Sequence, residues 1–267
     1  MHYKNVWFSD ESYLYETGGL SSGEWVINYL MQQPILFSGN FMEELEFIPW
    51  NEFIYYGELT NNPCTNAVFS NLKNTRTMFR ILKQFKGSRP IAHMEWKLEN
   101  ISANGSTAAY ANNELIQIRI NSSYANTATP ISMARTMLHE AIHAEVLLKL
   151  ISVNAWPPNP NMINAQTEFP GLWDYWVRYK NSLPSGADIG TALHNHLADW
   201  YRARIKAGLI EFDVSTGNSH LDWQYEALTW GGLDGSAAWT NFQSLNPTLS
   251  AQYYTYIQQQ QNAGGCP

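Results

Sequence analysis

Positive charge is scarce in this chain: 16 Lys and Arg against 23 Asp and Glu in 267 residues, for a formal net charge of −7. Phosphate backbones are bound by clustered Lys and Arg. The basic residues here are spread thinly and form no stripe, which argues against nucleic acid as a partner. Long apolar runs are missing as well. None reaches 18 residues, so no segment reads as a membrane span. Cysteine is limited to Cys64 and Cys266, which lack the CxxC spacing of a metal knuckle. Two isolated thiols are the simpler reading, and one disulfide tying the ends together in an oxidising compartment is the alternative. The opening MHYKNVWFSDESYLYETGG lacks the basic and apolar regions of a signal peptide. Its polar, aromatic character reads like the interior of a longer precursor, with a lean towards a secreted or cell-surface setting.

What the chain does have is apolar mass. Hydrophobic residues make up 45%, with 11 Trp, 15 Tyr and 11 Phe, enough for a sizeable buried core and incompatible with a disordered chain. Residues 1–60 show no sustained period and read as an extended lead-in with short strands, packed on a domain that spans 61–267. In TNAVFSNLKNTRTMFRILKQF, residues Val68, Leu72, Met78, Phe79, Leu82 and Phe85 fall near helical spacing, with Gly87 as a stop. HMEWKLE alternates Met94, Trp96 and Leu98 with polar residues, as a half-buried strand does. ISANGSTAAYANN reads as a loop from its Asn, Gly and Ser content, and ELIQIRIN alternates again.

Thr129-Pro130 then opens a helix, with Thr as cap and Pro where no donor is needed. From Ile131 to Ile151 nearly every face is apolar, which predicts a helix buried mid-domain. A proline-rich stretch ends it, and helical segments follow at GLWDYWVRYKNSL, ADIGTALHNHLADWYRARIKAGL (Gly208 near its end), HLDWQYEALTWGGL and PTLSAQYYTYIQQQQ. The aromatic C-terminal blocks read as core packing and not as a carbohydrate platform.

Inside the greasy helix lies the sequence His139-Glu140-Ala-Ile-His143. Residues four apart on a helix stand one above the other, so both imidazoles can point at one ion, and Glu140 lies to the side, within reach of a metal-bound water. This is the mechanics of H-E-x-x-H: two zinc ligands and a general base. About one chain in a hundred of this composition would carry such a match by accident. Two histidines and two glutamates (Glu140 and Glu145) buried without partners would be costly, however, which favours the metal site over satisfied core histidines.

The stretch ARTMLHEAIHAEV resembles the active-site helix of the zincin metallopeptidase superfamily. Together with NPCTNAVFSNLK, ELIQIRINSSY, HNHLADWY and YEALTWGGLDGSAAW, it resembles SprT-like, zincin-like domains of bacterial proteins over roughly Pro63 to Trp239. The resemblance implies an α+β, zincin-like fold: a small mixed sheet, a buried active-site helix and a mostly helical C-terminal half. It also implies Zn2+ as cofactor and a protein or peptide as substrate. The elongated pattern HExxHxxGxxH is excluded, because Val146 and Lys149 stand where Gly and His are required. The third ligand must come from elsewhere: His194, His196, Asp199, Glu168, Asp222 or Glu226. The resembling domains keep a His at the place of His194, and GTALH ending at His194 echoes a G-T-x-x-D ligand motif, so His194 is favoured. Tyr201, His220 and Tyr225 are candidate oxyanion donors, each also readable as core or rim. Glu226 reads equally as a carboxylate holding an imidazole or as a helix-surface charge.

The expected activity is zinc-dependent hydrolysis of peptide bonds, with His139, His143 and His194 on the metal and Glu140 as general base, in the catalytic part of an exported or toxin-like protein. The rivals are a zincin-fold binding module with a structural metal and an amidase acting on peptidoglycan stem peptides.

Overall fold

A computed structural model describes residues 54–86, 90–110, 114–152, 194, 198 and 201–264. These residues build a mixed α+β unit: a four-stranded sheet and, around it, mostly helices. The first is strand β1 (Ile54–Tyr55), followed by a 3-10 turn at Gly57–Asn61. The rest of the expected lead-in over 1–60 lies outside the described residues. Helix α1 (Pro63–Leu72) starts at Asn62, whose side chain accepts from Thr65 N, with Pro63 at the first helical position. Helix α2 (Arg76–Leu82) follows after a break at 73–75, so the helical spacing of residues 65–85 belongs to two helices. The break has a cause, since Thr75 Oγ1 accepts from Met78 N and starts a new helix.

Strands β2 (His93–Glu99), β3 (Gly105–Tyr110) and β4 (Leu115–Asn121) complete a sheet of order β1-β2-β4-β3. β1 and β2, and β2 and β4, run parallel; β3 is antiparallel to β4 and forms an edge. Met94 and Trp96 from β2 and Ile116, Ile118 and Ile120 from β4 fill one face of the sheet and are essentially inaccessible, as their alternation predicts. The loop expected over GSTAAY is a correction: these residues are β3. Small residues weaken strand propensity, but here they let the edge strand lie close on the buried helix.

After a single turn, α3 (Ser122–Ala125), comes α4 (Pro130–Ser152), the helix of the H-E-x-x-H sequence. Thr129 Oγ1 accepts from Ser132 N at 3.4 Å and itself donates to Gln260 Oε1 at 2.8 Å, so the start of α4 is tied to the last helix. Every residue from Ile131 to Lys149 is buried. Four further helices follow among the described residues, α5 (Arg202–Thr216), α6 (Asp222–Thr229), α7 (Ala237–Leu245) and α8 (Pro247–Asn262); α5, α6 and α8 pack on α4, and α7 packs on α8. Gly208 does not end its helix. It sits mid-α5, where an added Cβ would come within 2.8 Å of Leu138 Cδ1, so it lets α5 approach α4; the helix ends at Gly217, whose φ of 70° suits only glycine. Helix α7 goes unforeseen in the sequence and is started by Ser236, whose hydroxyl accepts from Trp239 N. Trp230, Trp239, Phe242 and Tyr253 stack between α6, α7 and α8 with ring centres 5.2–5.7 Å apart. The aromatic blocks are core packing.

The expectation of two isolated thiols also falls. Cys64 is disulfide-bonded, and the only other cysteine in the chain is Cys266.

Two acidic residues show how burial is compensated in this packing. Glu145 on α4 has a side chain only 3% exposed. It receives Arg204 from α5 at 2.5 Å, Gln84 at 2.7 Å and Lys149 at 3.6 Å. Burial pushes its carboxyl up, but Arg204, Lys149 and the Gln84 bond outweigh burial and hold it below the ordinary value. Glu145→Gln leaves the cations without their counter-charge. Unfolding in urea is expected to show a loss of about 3 kcal/mol, the low end for breaking a buried pair because Arg204 is partly solvated; a change within about 0.5 kcal/mol would contradict this.

Glu211 on α5 accepts from Thr77 N at 2.8 Å and so caps the start of α2. Burial raises its carboxyl above the ordinary value, against the pull of Thr77, Arg76 and Arg80. A carboxyl raised in the folded state contributes stability that is full below its unfolded pKa and is lost as pH rises through its folded pKa. Glu211→Gln keeps the acceptor and removes the charge. It is expected to raise Tm at pH 7.5 and to change it little near pH 4; a larger gain at the acid end would contradict the assignment.

Candidate metal centre

Helical spacing places Arg135, His139 and His143 in one row on α4, a turn apart. The row meets His194 from the C-terminal half. One ligand atom from each of His139, His143 and His194 lies within 4.8 Å of the others, so the three histidines are close enough to bind a metal ion. Their ring centres are 4.7, 5.6 and 5.3 Å apart. His139 and His143 are buried and His194 partly so. The donor set fits zinc: two nitrogens on one tetrahedral zinc, each at about 2.0–2.1 Å, stand about 3.3 Å from one another, and the Nε2 atoms of His139 and His143 are 3.0 Å apart. Burial, followed by His143, His194 and Arg135, pushes the pKa of His139 far down. A neutral imidazole has no proton to lose before binding a cation.

Glu140 lies beside this cluster, 6% exposed. Strand β3 holds it: Thr107 Oγ1 donates to Glu140 Oε2 at 2.7 Å and contacts its carbonyl oxygen at 3.1 Å. Gly105, one residue pair back along the same strand, leaves room for the carboxylate, since a Cβ there would stand 2.8 Å from Glu140 Cγ and Oε1. Burial raises the Glu140 carboxyl to about 7, and the Thr107 bond, Arg135 and Arg119 pull against it. Such a group exchanges protons near neutral pH.

On the other side of the row, Gly231 and Gly232 press on Arg135 and His139. A Cβ on Gly231 would meet Arg135 Cζ at 2.8 Å; one on Gly232, whose φ is 78°, would stand 3.4 Å from His139 Cε1. A side chain at position 231 would crowd the Arg135 guanidinium, while at position 232 glycine is favoured by the backbone conformation and not by contact.

The remaining candidates separate. His196, Asp199 and Glu168 lie outside the described residues. Asp222 has a side chain 77% exposed and pairs with Lys206. Glu226 pairs with Arg202 and Lys206 on α5, which is the helix-surface reading, and it meets none of the three histidines among the described contacts. Tyr225 donates its hydroxyl to Asp213 at 2.6 Å and accepts from His220 N, while His220 Nδ1 lies 2.6 Å from the same Asp213 oxygen. Burial and the Asp213 bond push the Tyr225 hydroxyl to about 12. That proton is committed to Asp213, so Tyr225 is a poor oxyanion donor. Tyr201 is half-buried against the core. Sequence reasoning passed over Thr107, Gly105, Arg135 and the Gly231-Gly232 pair. The two glycines in a row and an Arg one turn before the first His were the signals available.

No protein-family model, curated protein or solved structure matches the chain.

Gly105→Ala is expected to displace the Glu140 carboxylate and to cost about 1–3 kcal/mol by overpacking. Gly57→Ala, where an added Cβ meets nothing within 4 Å, serves as its control at under about 0.5 kcal/mol. Urea unfolding of the two variants makes the comparison, and equal effects would mean that β3 is not seated on Glu140.

Proposed function

We propose that this chain is a zinc-dependent hydrolase that cleaves peptide bonds on a zincin-like fold. The observation that carries the reading is the meeting of His139, His143 and His194 beside a buried carboxylate that an edge strand holds in place. A metal pinned for structure alone has no use for such a carboxylate, so the base beside the histidines favours catalysis over a binding module. The edge strand β3 along the H-E-x-x-H helix supports the likeness to zincins, whose cleft is rimmed by a strand.

Zinc held by the three histidines would act as a Lewis acid and make water acidic enough to be deprotonated near neutral pH. Glu140 takes that proton as the water oxygen bonds to the scissile carbonyl carbon. It returns the proton to the leaving amine as the C–N bond breaks, so the carboxylate ends as it began. Thr107 fixes Oε2 and leaves Oε1 to do this work. The disulfide at Cys64 suits an oxidising compartment, which supports the reading of an exported or cell-surface protein. Among the described residues no helix is long and apolar enough to cross a membrane.

Glu140→Gln keeps the shape and the Thr107 bond and removes the base. Cleavage of a quenched fluorescent peptide library is expected to fall about 10²–10⁴-fold with Tm preserved. Undiminished cleavage by the variant would sink the assignment of Glu140.

A further inference from the structure

Arg135 is the one member of the α4 row that this chemistry leaves without a task. It is 2% exposed, and its Nε and Nη2 are buried with no hydrogen-bond partner. No ion pair among the described residues includes it, while the other buried cation of α4, Lys149, has Glu145. A guanidinium cannot escape by losing its proton; Glu140 feels its charge but forms no ion pair with it, and a buried charge without a paired counter-charge is costly. The position of this charge is also specific. The point where a Cβ of Gly232 would stand is 3.6 Å from Arg135 Nη1 and 3.7 Å from His139 Nε2. That Nε2 is the atom facing His143. Guanidinium and metal-facing nitrogen thus lie against the same stretch of backbone, at Gly232. Gly231 lies beside Arg135 Nε, Cζ and Nη2, and its lack of a side chain keeps that face of the guanidinium uncrowded.

We infer that Arg135 is the anion-recognition group of this site: it takes a carboxylate of the substrate and so selects peptides that carry one beside the scissile bond. The inference rests on the metal-centre reading for its substrate class, although the binding of a carboxylate does not itself require the metal. A planar guanidinium whose Nε and Nη2 have no hydrogen-bond partner matches a carboxylate in a paired geometry. The carboxylate comes from the free C-terminus of a peptide or from an acidic side chain, and the two sources are separable by small probes.

The test uses the full chain, with and without one equivalent of added zinc, and with zinc uptake measured on the same samples. The probes are N-acetylphenylalanine, its amide, and N-acetylaspartate α-amide, which carries only a side-chain carboxylate. Binding is read by calorimetry and by the shift in Tm. At least one of the two carboxylates is expected to bind and raise Tm, and the neutral amide is not. Arg135→Met is expected to weaken that binding about tenfold or more, while in the absence of ligand its Tm rises, because a buried charge with no ion-pair partner among the described residues has been replaced by an apolar side chain. Arg135→Lys keeps the charge and retains part of the binding. Preference for N-acetylphenylalanine assigns the site to chain ends, and preference for the aspartate probe assigns it to acidic side chains.

Three results would overturn the inference: equal binding of acid and amide, carboxylate binding that survives Arg135→Met, or an Arg135→Met chain that is less stable or fails to fold, which would make the guanidinium a structural partner. Zinc uptake without Arg135-dependent binding removes the anion site alone. Arg135-dependent binding in a chain that takes up no zinc leaves the anion site standing and removes the enzyme reading.

Discussion

A helix buried on every side obliges each of its polar groups to find a partner inside the protein. Helix α4 is such a helix from Ile131 to Lys149, and it carries Arg135, His139, Glu140, His143, Glu145 and Lys149. Near its C-terminal end the obligation is met by ordinary means: Arg204, Gln84 and Lys149 surround Glu145. In the middle, Thr107 meets Glu140. The three imidazoles instead face one another, an arrangement that a cation completes and that hydrogen bonds among neutral rings complete poorly. A buried imidazole is costly unless its nitrogens find partners or a metal.

The other elements follow from this helix. The Thr129 start is fastened to Gln260 on the last helix, which fixes α4 against the C-terminal half. Gly208 brings α5 close enough for Arg204 to reach Glu145, and the Gly231-Gly232 turn brings the chain after α6 onto His139. On the sheet side, the apolar faces of β2 and β4 pack inward while β3, made of small residues, slides along the helix beside Glu140. Small side chains at each of these contacts matter as much as the three histidines do, because they set how closely backbone can approach the site.

Much of this was legible in the residues. The continuous apolar character of 131–151 foretold a buried helix, and the alternation in HMEWKLE and LIQIRIN foretold two strands, because period and burial are directly coupled. His139, Glu140 and His143 could be read together because helical spacing is local. His194 could be favoured only by resemblance, since no local rule reports where a residue fifty positions away will fold, and the structure brings it to the other two. What was illegible has physical reasons. GSTAAY forms a strand through its pairing with β4 and its seat on α4, both tertiary effects that override weak propensity. Gly208 reads as a stop in isolation, yet close helix packing demands a glycine there. Arg135 looks like one more polar exception until its burial and its unpartnered Nε and Nη2 are seen.

The most direct test of the metal centre is the zinc content of the purified chain beside that of its His194→Ala variant, by elemental analysis after dialysis. A catalytic site of three histidines should hold about one zinc per chain and lose most of it in the variant. Full retention by the variant would take His194 out of the ligand set, and a parent chain that neither holds zinc nor takes it up on addition would contradict the metal centre itself.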